Sequence, residues 1–342
     1  MSNIRQKFLI STGILGFFGL VNFQPNTVSY EAWIVASLLL LMTFWWLTEA
    51  IPLSITAILP LIVIPSFTNV NISDVAKPYA NPVIFLLLGG FILGLGFQKS
   101  NLHLRFAMFV LKKIGSTKKS ILGGIILSTA FLSMWISNTA TCLLMLPIVV
   151  SILDKMEIKN DFIYKKILLL AIAYSASIGG IATLVGTAPN AIFAGFLMEN
   201  YDLEINFIDW MKFSLPLVFL LITVLWFFFN FFIESKNVPI SKNNFIYDQY
   251  KKLGPFSSKE KITMIILLLT IFLWLSKKSI NSALSINLTD SSIALFGSLL
   301  FFIIPYERYN FVLNKSWFKE IPWNILILFG GGLSLASSIN SS

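Results

Sequence analysis

The sequence has little charge and almost none of the side chains that bind transition metals or form disulfides. Only 12% of its 342 residues are charged, which is about half the usual share for a soluble domain. It contains one cysteine, Cys142, and one histidine, His103. An intramolecular disulfide, a multi-cysteine metal site and a histidine cluster are therefore excluded.

Apolar residues, in contrast, are abundant. Hydrophobic residues make up 56% of the chain and aromatic residues 15%, and the mean hydropathy is +0.80. A soluble fold would leave large apolar patches in water, which is rare. Arg5 and Lys7 precede a first apolar run that no clear cleavage site follows, so we predict a retained first helix. The composition predicts an all-α, polytopic membrane protein.

The lengths of the apolar runs predict where the chain crosses the bilayer, since a spanning helix needs about 20 residues. Spans are predicted at about 8–22, 31–50, 53–67, 82–98, 167–198, 213–233, 262–276, 290–304 and 323–338. The stretch 120–153 is long enough for more than one span, but Ser137, Asn138 and Thr139 interrupt it. We interpret it as a re-entrant hairpin, which is tolerated at membrane depth where it is buried in protein or lines a wet cavity.

The distribution of basic residues supports this hairpin. With a cytoplasmic N-terminus and a hairpin that returns to its own side, only Lys77, Lys212, Lys277 and Lys278 of the 25 basic residues fall outside. Cytoplasmic loops retain Lys and Arg, and a single crossing would remove most of this asymmetry. The net charge of +9 therefore indicates a multi-pass protein of the cell (inner) membrane in contact with lipid, and no nucleic-acid partner.

A weak internal repeat suggests how the chain is organised. Leu87-Leu88-Gly89-Gly90 and Leu328-Phe329-Gly330-Gly331 each follow a proline within an apolar run. The pair is typical of an inverted repeat, although glycine pairs are also common in packed membrane helices. We predict scaffold helices and an interfacial helix over 1–119, part of a transport domain over 120–198 (hairpin 120–153, broken helix 167–198), a helix closing the first repeat over 199–233, a cytoplasmic linker over 234–261, and an incomplete second repeat over 262–342.

Two polar segments flank these spans on the predicted cytoplasmic side. Basic and apolar residues alternate over 99–119, which predicts an amphipathic interfacial helix with His103 at its surface. The long polar linker 234–261 is interpreted as a loop.

The hairpin tip is the first candidate site. Ser133 and Ser137 are one turn apart, so their hydroxyls share a helix face. Asn138 supplies an amide oxygen and two donors. The returning helix begins near Thr139, and free N–H groups at its N-terminus favour an anion. The alternative is that these small polar residues only join neighbouring helices.

A second candidate lies in the span 167–198. Pro189 lacks an N–H and disfavours helix at the preceding residue, and Gly186 lets the backbone turn. The span is expected to break here, before Asn190, into two half-helices of the kind that bind ions and anions in transporters. A proline kink without a ligand is the alternative. Two breaks in consecutive elements favour a binding site over two packing accidents.

The candidate sites contain no ionisable residue. No Asp, Glu, Lys or Arg lies over 120–153 or 186–190, whereas a proton-coupled carrier usually has one within the membrane. Neutral oxygens suit a monovalent cation such as Na⁺. A membrane-embedded enzyme needs a nucleophile–base pair or a metal cluster, and the absence of both argues against that class of protein.

Three stretches together resemble a known family. They are the motif Phe44-Trp45-Trp46-Leu47-Thr48-Glu49-Ala50-Ile51-Pro52-Leu53-Ser54, the tip Ser137-Asn138-Thr139, and Gly186-Thr187-Ala188-Pro189-Asn190. Their order and spacing resemble the divalent anion/sodium symporters, which include the dicarboxylate and citrate carriers. The resemblance implies a homodimer with a fixed scaffold and a mobile transport domain that moves as an elevator. The first motif looks structural, with Glu49 at a helix end.

The resemblance also implies roles for individual residues. It implies a Na⁺ site formed by Ser133, Ser137, Asn138 and the carbonyl of Gly186. It implies substrate carboxylate contacts from Asn138 and Thr139, with Thr187 nearby.

The chain departs from the family in one respect. The family has a second Ser-Asn-Thr hairpin after the span that starts near Pro322, and this chain stops at Ser342. The second Na⁺ site and half of the substrate site are then missing, so the chain alone is expected not to transport.

The resemblance thus predicts sodium-coupled transport of small di- or tricarboxylate anions such as succinate, with Na⁺ as the coupling ion and no cofactor. Anion exchange and sulfate transport are alternatives within the family. A non-transporting remnant is an alternative of another class.

Overall fold

The computed structural model describes residues 3–115, 117–155, 161–233 and 245–341. In these ranges the chain is almost entirely helical, and seven of its helices are long and apolar enough to cross a bilayer. The prediction of an all-α, polytopic membrane protein is confirmed.

The helices in chain order are α1 (Asn3–Asn22), α2 (Tyr30–Thr48), α3 (Leu53–Thr56), α4 (Leu59–Phe67), α5 (Ile72–Ala76), α6 (Pro82–Lys99), α7 (Leu102–Ile114), α8 (Lys118–Ser133), α9 (Asn138–Lys155), α10 (Phe162–Gly180), α11 (Ala188–Tyr201), α12 (Phe207–Phe231), α13 (Phe245–Lys252), α14 (Ser258–Leu284), α15 (Asp290–Ile303), α16 (Trp317–Glu320) and α17 (Trp323–Ser341). A 3₁₀ turn (Lys77–Ala80) precedes α6, and two short antiparallel strands, β1 (Pro305–Glu307) and β2 (Asn310–Phe311), precede α16.

The end of α2 shows the structural role of the motif Phe44–Ser54. Glu49 has a φ of 49°, in the left-handed region, and its N–H donates to the carbonyl of Trp45. This conformation ends the helix, so the predicted helix-end role of Glu49 is confirmed. The predicted span 53–67 is divided into α3 and α4, because Pro60 in the first turn of α4 has no N–H to donate to a carbonyl of the preceding turn.

Contacts divide the chain into two compact units, of which the first is Met1–Phe85 with Pro322–Ser342. There α1 packs along α2, and α17 lies against α3 and the 3₁₀ turn. The hydroxyl of Ser334 donates to the carbonyl of Val75 over 2.7 Å, and Gly331 approaches the carbonyl of Ala57 too closely for a Cβ. Glycine in α17 therefore allows the last helix to pack among the first ones.

The second unit is Leu86–Ile321, and in it α8 runs beside α10 in the same direction. At their starts, Lys118 Nζ lies 2.5 Å from Asp161 Oδ2. Toward their ends, Gly179 packs on the backbone of Ala130, again too closely for a Cβ. Burial raises the pKa of Asp161, but the hydrogen bonds from Lys118 and the Tyr164 amide outweigh it and hold this pKa below its ordinary value.

Helix α9 returns along α10 in the opposite direction, so α8 and α9 are an antiparallel helix pair over the segment that was predicted to be a re-entrant hairpin. It starts beside Gly180, at the end of α10, and the Cys142 thiol faces the carbonyl of Ile172. It ends at Lys155, six residues before Asp161 at the start of α10. Six residues span at most about 22 Å, which is less than the length of α10, about 28 Å. Helix α9 therefore ends toward the start of α10.

Helix α7, Leu102–Ile114, lies within the segment 99–119 that was predicted to form an interfacial helix, but it is more buried than predicted. His103 is 8% exposed, so its predicted surface position is wrong. The reason is that α7 packs against α8, α13 and α14. Burial lowers the pKa of His103.

Part of the predicted linker loop is ordered helix. Residues 245–252 form α13, and α14 begins at Ser258; residues 234–244 lie outside the described part of the chain. The segment 253–260 is held by Arg105. Its guanidinium donates to both carboxylate oxygens of Glu260, at 2.7 and 3.0 Å, and to the carbonyls of Leu253, Gly254 and Pro255. Its hydrogen bonds to Glu260 raise the pKa of Arg105.

Ion pairs also connect segments that were predicted to share a side of the membrane. Asp209 pairs with both Lys212 and Lys278, and Lys277 Nζ lies 2.9 Å from Asp290 Oδ1. Asp209, Lys212, Lys277 and Lys278 belong to the predicted outside, and Asp290 begins the predicted span 290–304. The Arg105–Glu260 pair joins two segments that were both predicted to be cytoplasmic.

We predict that the buried Arg105–Glu260 pair is a main determinant of stability. Breaking such a pair leaves an unpartnered buried charge, so Arg105→Ala is expected to destabilise the protein by about 3–5 kcal/mol. Thermal unfolding of the purified protein, followed by reaction of the partly buried Cys142 thiol with a fluorescent dye, measures this.

The double variant Arg105→Met/Glu260→Met provides the control, because it leaves no lone charge. It should be more stable than either single variant. Additive losses in the double variant would show that the pair is not coupled. Lys278→Ala removes an ammonium that is 76% exposed and is expected to change stability by less than about 0.5 kcal/mol.

Candidate functional site

The hairpin tip is a turn between two helix ends. Helix α8 ends at Ser133 and α9 begins at Asn138. The hydroxyl of Ser137 accepts the amide of Ala140 at 3.4 Å, as an N-cap residue does. Ser133 is fully buried, and its hydroxyl donates to Asn138 Oδ1 over 2.8 Å. The buried Ser133 hydroxyl and the partly buried Asn138 side chain thus lie together at the tip.

The second break lies directly beside this tip. Helix α10 ends at Gly180 and α11 begins at Ala188, with Pro189 in its first turn, where a missing N–H is tolerated. Gly180 lies so close to Asn138 Oδ1 that no side chain could replace its hydrogen. A Cβ on Gly186 would be 3.0 Å from the carbonyl oxygen of Ser133. The structure therefore brings Ser133, Asn138 and Gly186 together.

The remaining predicted residues border this cluster. Ser137 is engaged at the start of α9, Thr139 is exposed, and Thr187 is half-buried immediately before α11. Within the described residues, none of these three side chains hydrogen-bonds to Ser133 or Asn138. They border the cluster without joining it, and their predicted roles as ligands stay predictions.

The carbonyls exposed by the end of α10 are satisfied by side chains. Asn190 donates its amide to the carbonyls of Gly180 at 2.9 Å, Thr183 at 2.8 Å and Ile181 at 3.4 Å. Asn190, predicted only as part of the helix break, is thus the residue that closes it. Buried carbonyls without such partners would each cost free energy.

A hydroxyl joins the two breaks. Thr183 Oγ1 donates to the carbonyl of Met134, in the tip, over 2.6 Å. The same oxygen accepts the amide of Gly186 over 3.0 Å. Thr183 therefore fixes the position of one break relative to the other, a role that the sequence analysis missed.

Two further residues support the break from α12 and were also missed. Trp210 Nε1 donates to the carbonyl of Ile181 over 2.8 Å, and Ser214 Oγ donates to that of Ala182 over 2.8 Å. Their spacing of four residues places both on one face of α12. The sequence does show that Trp210 and Ser214 share a helix face, but this spacing does not identify the carbonyls to which they bond.

The electrostatics of the site follow from the helix ends. Helices α8 and α10 end here, and their carboxyl ends carry a partial negative charge. Helices α9 and α11 begin here, and their amino ends carry a partial positive charge. Carbonyl and hydroxyl oxygens fit a hard monovalent cation, and free amides fit a carboxylate. The described part of the chain has no group of three His, Cys, Asp or Glu that could hold a metal ion.

We predict that Asn190→Ala destabilises the protein by about 2–4 kcal/mol, because at least two buried carbonyls lose their donor at about 1–3 kcal/mol each. Thermal unfolding of the purified protein measures this. Asn22→Ala is the matched control, since the Asn22 amide bonds the carbonyl of Phe18 at an exposed helix end. Equal stability of the two variants would contradict the capping role of Asn190.

Comparisons with known proteins identify the family. A family model described as citrate transporter matches residues 43–342. The chain is 35% identical to the sodium-dependent dicarboxylate transporter SdcS of Staphylococcus saprophyticus over 98% of its own length and 67% of that protein. It is 34% identical, with the same coverage, to SdcS of Staphylococcus aureus. All of these are transporters and not enzymes, and the chain belongs to the citrate transporter family.

Proposed function

We propose that this chain couples Na⁺ to the transport of di- or tricarboxylate anions such as succinate. The observation that carries the proposal is the pairing of two helix breaks, which places two carboxyl ends and two amino ends at one position. The relatives' names, which describe sodium-dependent dicarboxylate transport, support the same ion and substrate class. No cofactor is needed beside the coupling ion.

The cation is proposed to bind at the buried cluster. Ser133 and Asn138 supply side-chain oxygens that now bond to each other over 2.8 Å, and a cation between them would replace that bond. Gly186 and Ser137 supply further oxygens nearby. Binding there also adds positive charge beside the amino ends of α9 and α11, which favours an anion next to it.

The substrate is proposed to bind on the open side of the same cluster. Thr139 and Thr187 each lie at the amino end of a helix, and Asn138, at the start of α9, bonds to Ser133 of the proposed cation site. Hydroxyl and amide donors, together with helix N-termini, recognise a carboxylate without any buried arginine. Coupling follows because one residue, Asn138, serves both ligands.

The mode of transport is part of the proposal. We propose a homodimer in the cell (inner) membrane, with a cytoplasmic N-terminus and an elevator movement. Bonds such as that between Thr183 and Met134 hold the two breaks together, so the site would move as one body.

Sodium binding at this cluster predicts specific stabilisation of the purified protein. A ligand that binds only the folded state adds about 2.7 kcal/mol at 100 times its Kd, so the melting temperature should be higher in NaCl than in KCl of equal concentration. Asn138→Ala removes an oxygen ligand and should abolish this difference, whereas Asn22→Ala should retain it.

Uptake of succinate by the assembled carrier in a host without its own dicarboxylate carriers is the direct test of function. It should require a Na⁺ gradient and should not be driven by a proton gradient, since the breaks contain no ionisable side chain. Equal stabilisation by the two salts, or uptake driven by protons, would refute the proposal.

The proposed orientation predicts a labelling pattern. In a Cys142→Ser background, Lys212→Cys should react with a membrane-impermeant thiol reagent added to intact cells, and Lys252→Cys should not. Both positions are exposed in the protein, so a difference reports the side of the membrane. Permeabilised cells, in which both should react, are the control. The reverse pattern would overturn the orientation.

A further inference from the structure

A polar cavity of about 410 Å³ lies at the end of the second unit that was predicted to be cytoplasmic. The β1–β2 turn, the loop that follows it and α16 form its walls, together with the end of α6 and the first turn of α14. Val312 and Leu313 are almost fully buried and anchor the loop. The volume is within the range of about 300–1,000 Å³ that is typical of ligand cavities.

The lining of the cavity carries an excess of positive charge. Lys99, Lys259 and Lys315 line it, with Glu320 as the carboxylate. Lys99 Nζ pairs with Glu320 Oε2 over 2.7 Å. Two ammonium groups are therefore left without a carboxylate among the lining residues. Each lysine comes from a different predicted cytoplasmic segment, so the tertiary structure assembles this charge.

The environment of Lys259 points to an anion. It is half-buried, and within the described residues no Asp or Glu lies within salt-bridge distance of it. Its ammonium lies 5.6 Å from the centroid of the Tyr306 ring, an attraction that fixes its position and leaves its charge uncompensated. Holding like charges around a cavity is unfavourable unless a counter-ion enters it.

We propose that this cavity binds a phosphate-bearing anion. A phosphate monoester carries about −1.5 to −2 at pH 7, which matches the excess charge, and Lys is a common point-charge partner of phosphate. Tyr306 offers a hydroxyl beside the lysines, and Asn310, whose amide also donates to Glu307 Oε2 over 3.2 Å, offers its second N–H. The phosphate can belong to a soluble compound or to the headgroup of an anionic lipid. The site is separate from the helix breaks, so it is a second anion site and not part of the transport site.

Binding is tested with pyrophosphate as the probe and the whole chain in phosphatidylcholine nanodiscs. Pyrophosphate should raise the melting temperature saturably. Lys259→Gln should weaken its apparent affinity about tenfold or more, the loss expected for one charge-assisted contact. Lys315→Gln, at an exposed position, should weaken it without disturbing packing, and Lys259→Arg should retain binding.

Lys319→Gln is the matched control, because it removes the same charge from α16 at an exposed position outside the cavity lining. Its affinity should equal that of the unaltered chain. A second arm compares nanodiscs with and without phosphatidylglycerol. Stabilisation by this lipid alone, lost in Lys259→Gln, would assign the phosphate to a headgroup. Absence of both effects, equal effects in Lys259→Gln, or displacement of pyrophosphate by succinate would overturn the proposal.

Discussion

The structure of the site depends on one constraint, which is that backbone groups exposed by a broken helix must find partners inside the protein. Helix α10 stops at Gly180 and leaves carbonyls that water would satisfy at a surface. Here the Asn190 amide, at the beginning of α11, donates hydrogen bonds to two of these carbonyls. Trp210 and Ser214 of α12 donate to two more. Because these partners come from two elements, α11 and α12, the break is held in one conformation, and its remaining groups stay available to the proposed ligands.

This arrangement explains how a site for charged ligands can be built without charged side chains. Two helix carboxyl ends offer oxygens, and two amino ends offer N–H groups. A cation and an anion bound side by side would neutralise each other, so neither needs a buried countercharge whose desolvation would be expensive. A titratable group in the site would instead make binding depend on pH.

Charged side chains are concentrated at the two ends of the second unit, where they connect segments. Arg105 gathers a carboxylate and three carbonyls, and Lys277 bonds both Asp290 and Asn206. Asp290 in turn accepts the first amide of α12, from Phe207. A pair of buried charges adds little net stability compared with apolar packing, but it penalises every arrangement in which its partners are apart. These contacts therefore favour one arrangement of the helix ends over the alternatives.

The sequence by itself determined the class of the protein, most helix positions and the location of both breaks. These features are local: the length of an apolar run, the missing N–H of Pro189, and small polar residues such as Ser137 and Asn138 within an apolar stretch. The family resemblance also pointed to the candidate ligands. Ser133, Asn138 and Gly186 do lie together, although their roles as ligands stay predictions.

Only the tertiary structure decided which groups meet. It paired Arg105 with Glu260, 155 residues later, buried His103, and placed Thr183 between the two breaks. It also gathered three lysines from separate segments around one cavity. Hydrophobic periodicity tells which face of a helix is buried, but it does not identify the neighbour. That choice depends on close approaches, such as Gly179 on Ala130, which arise only when the helices pack.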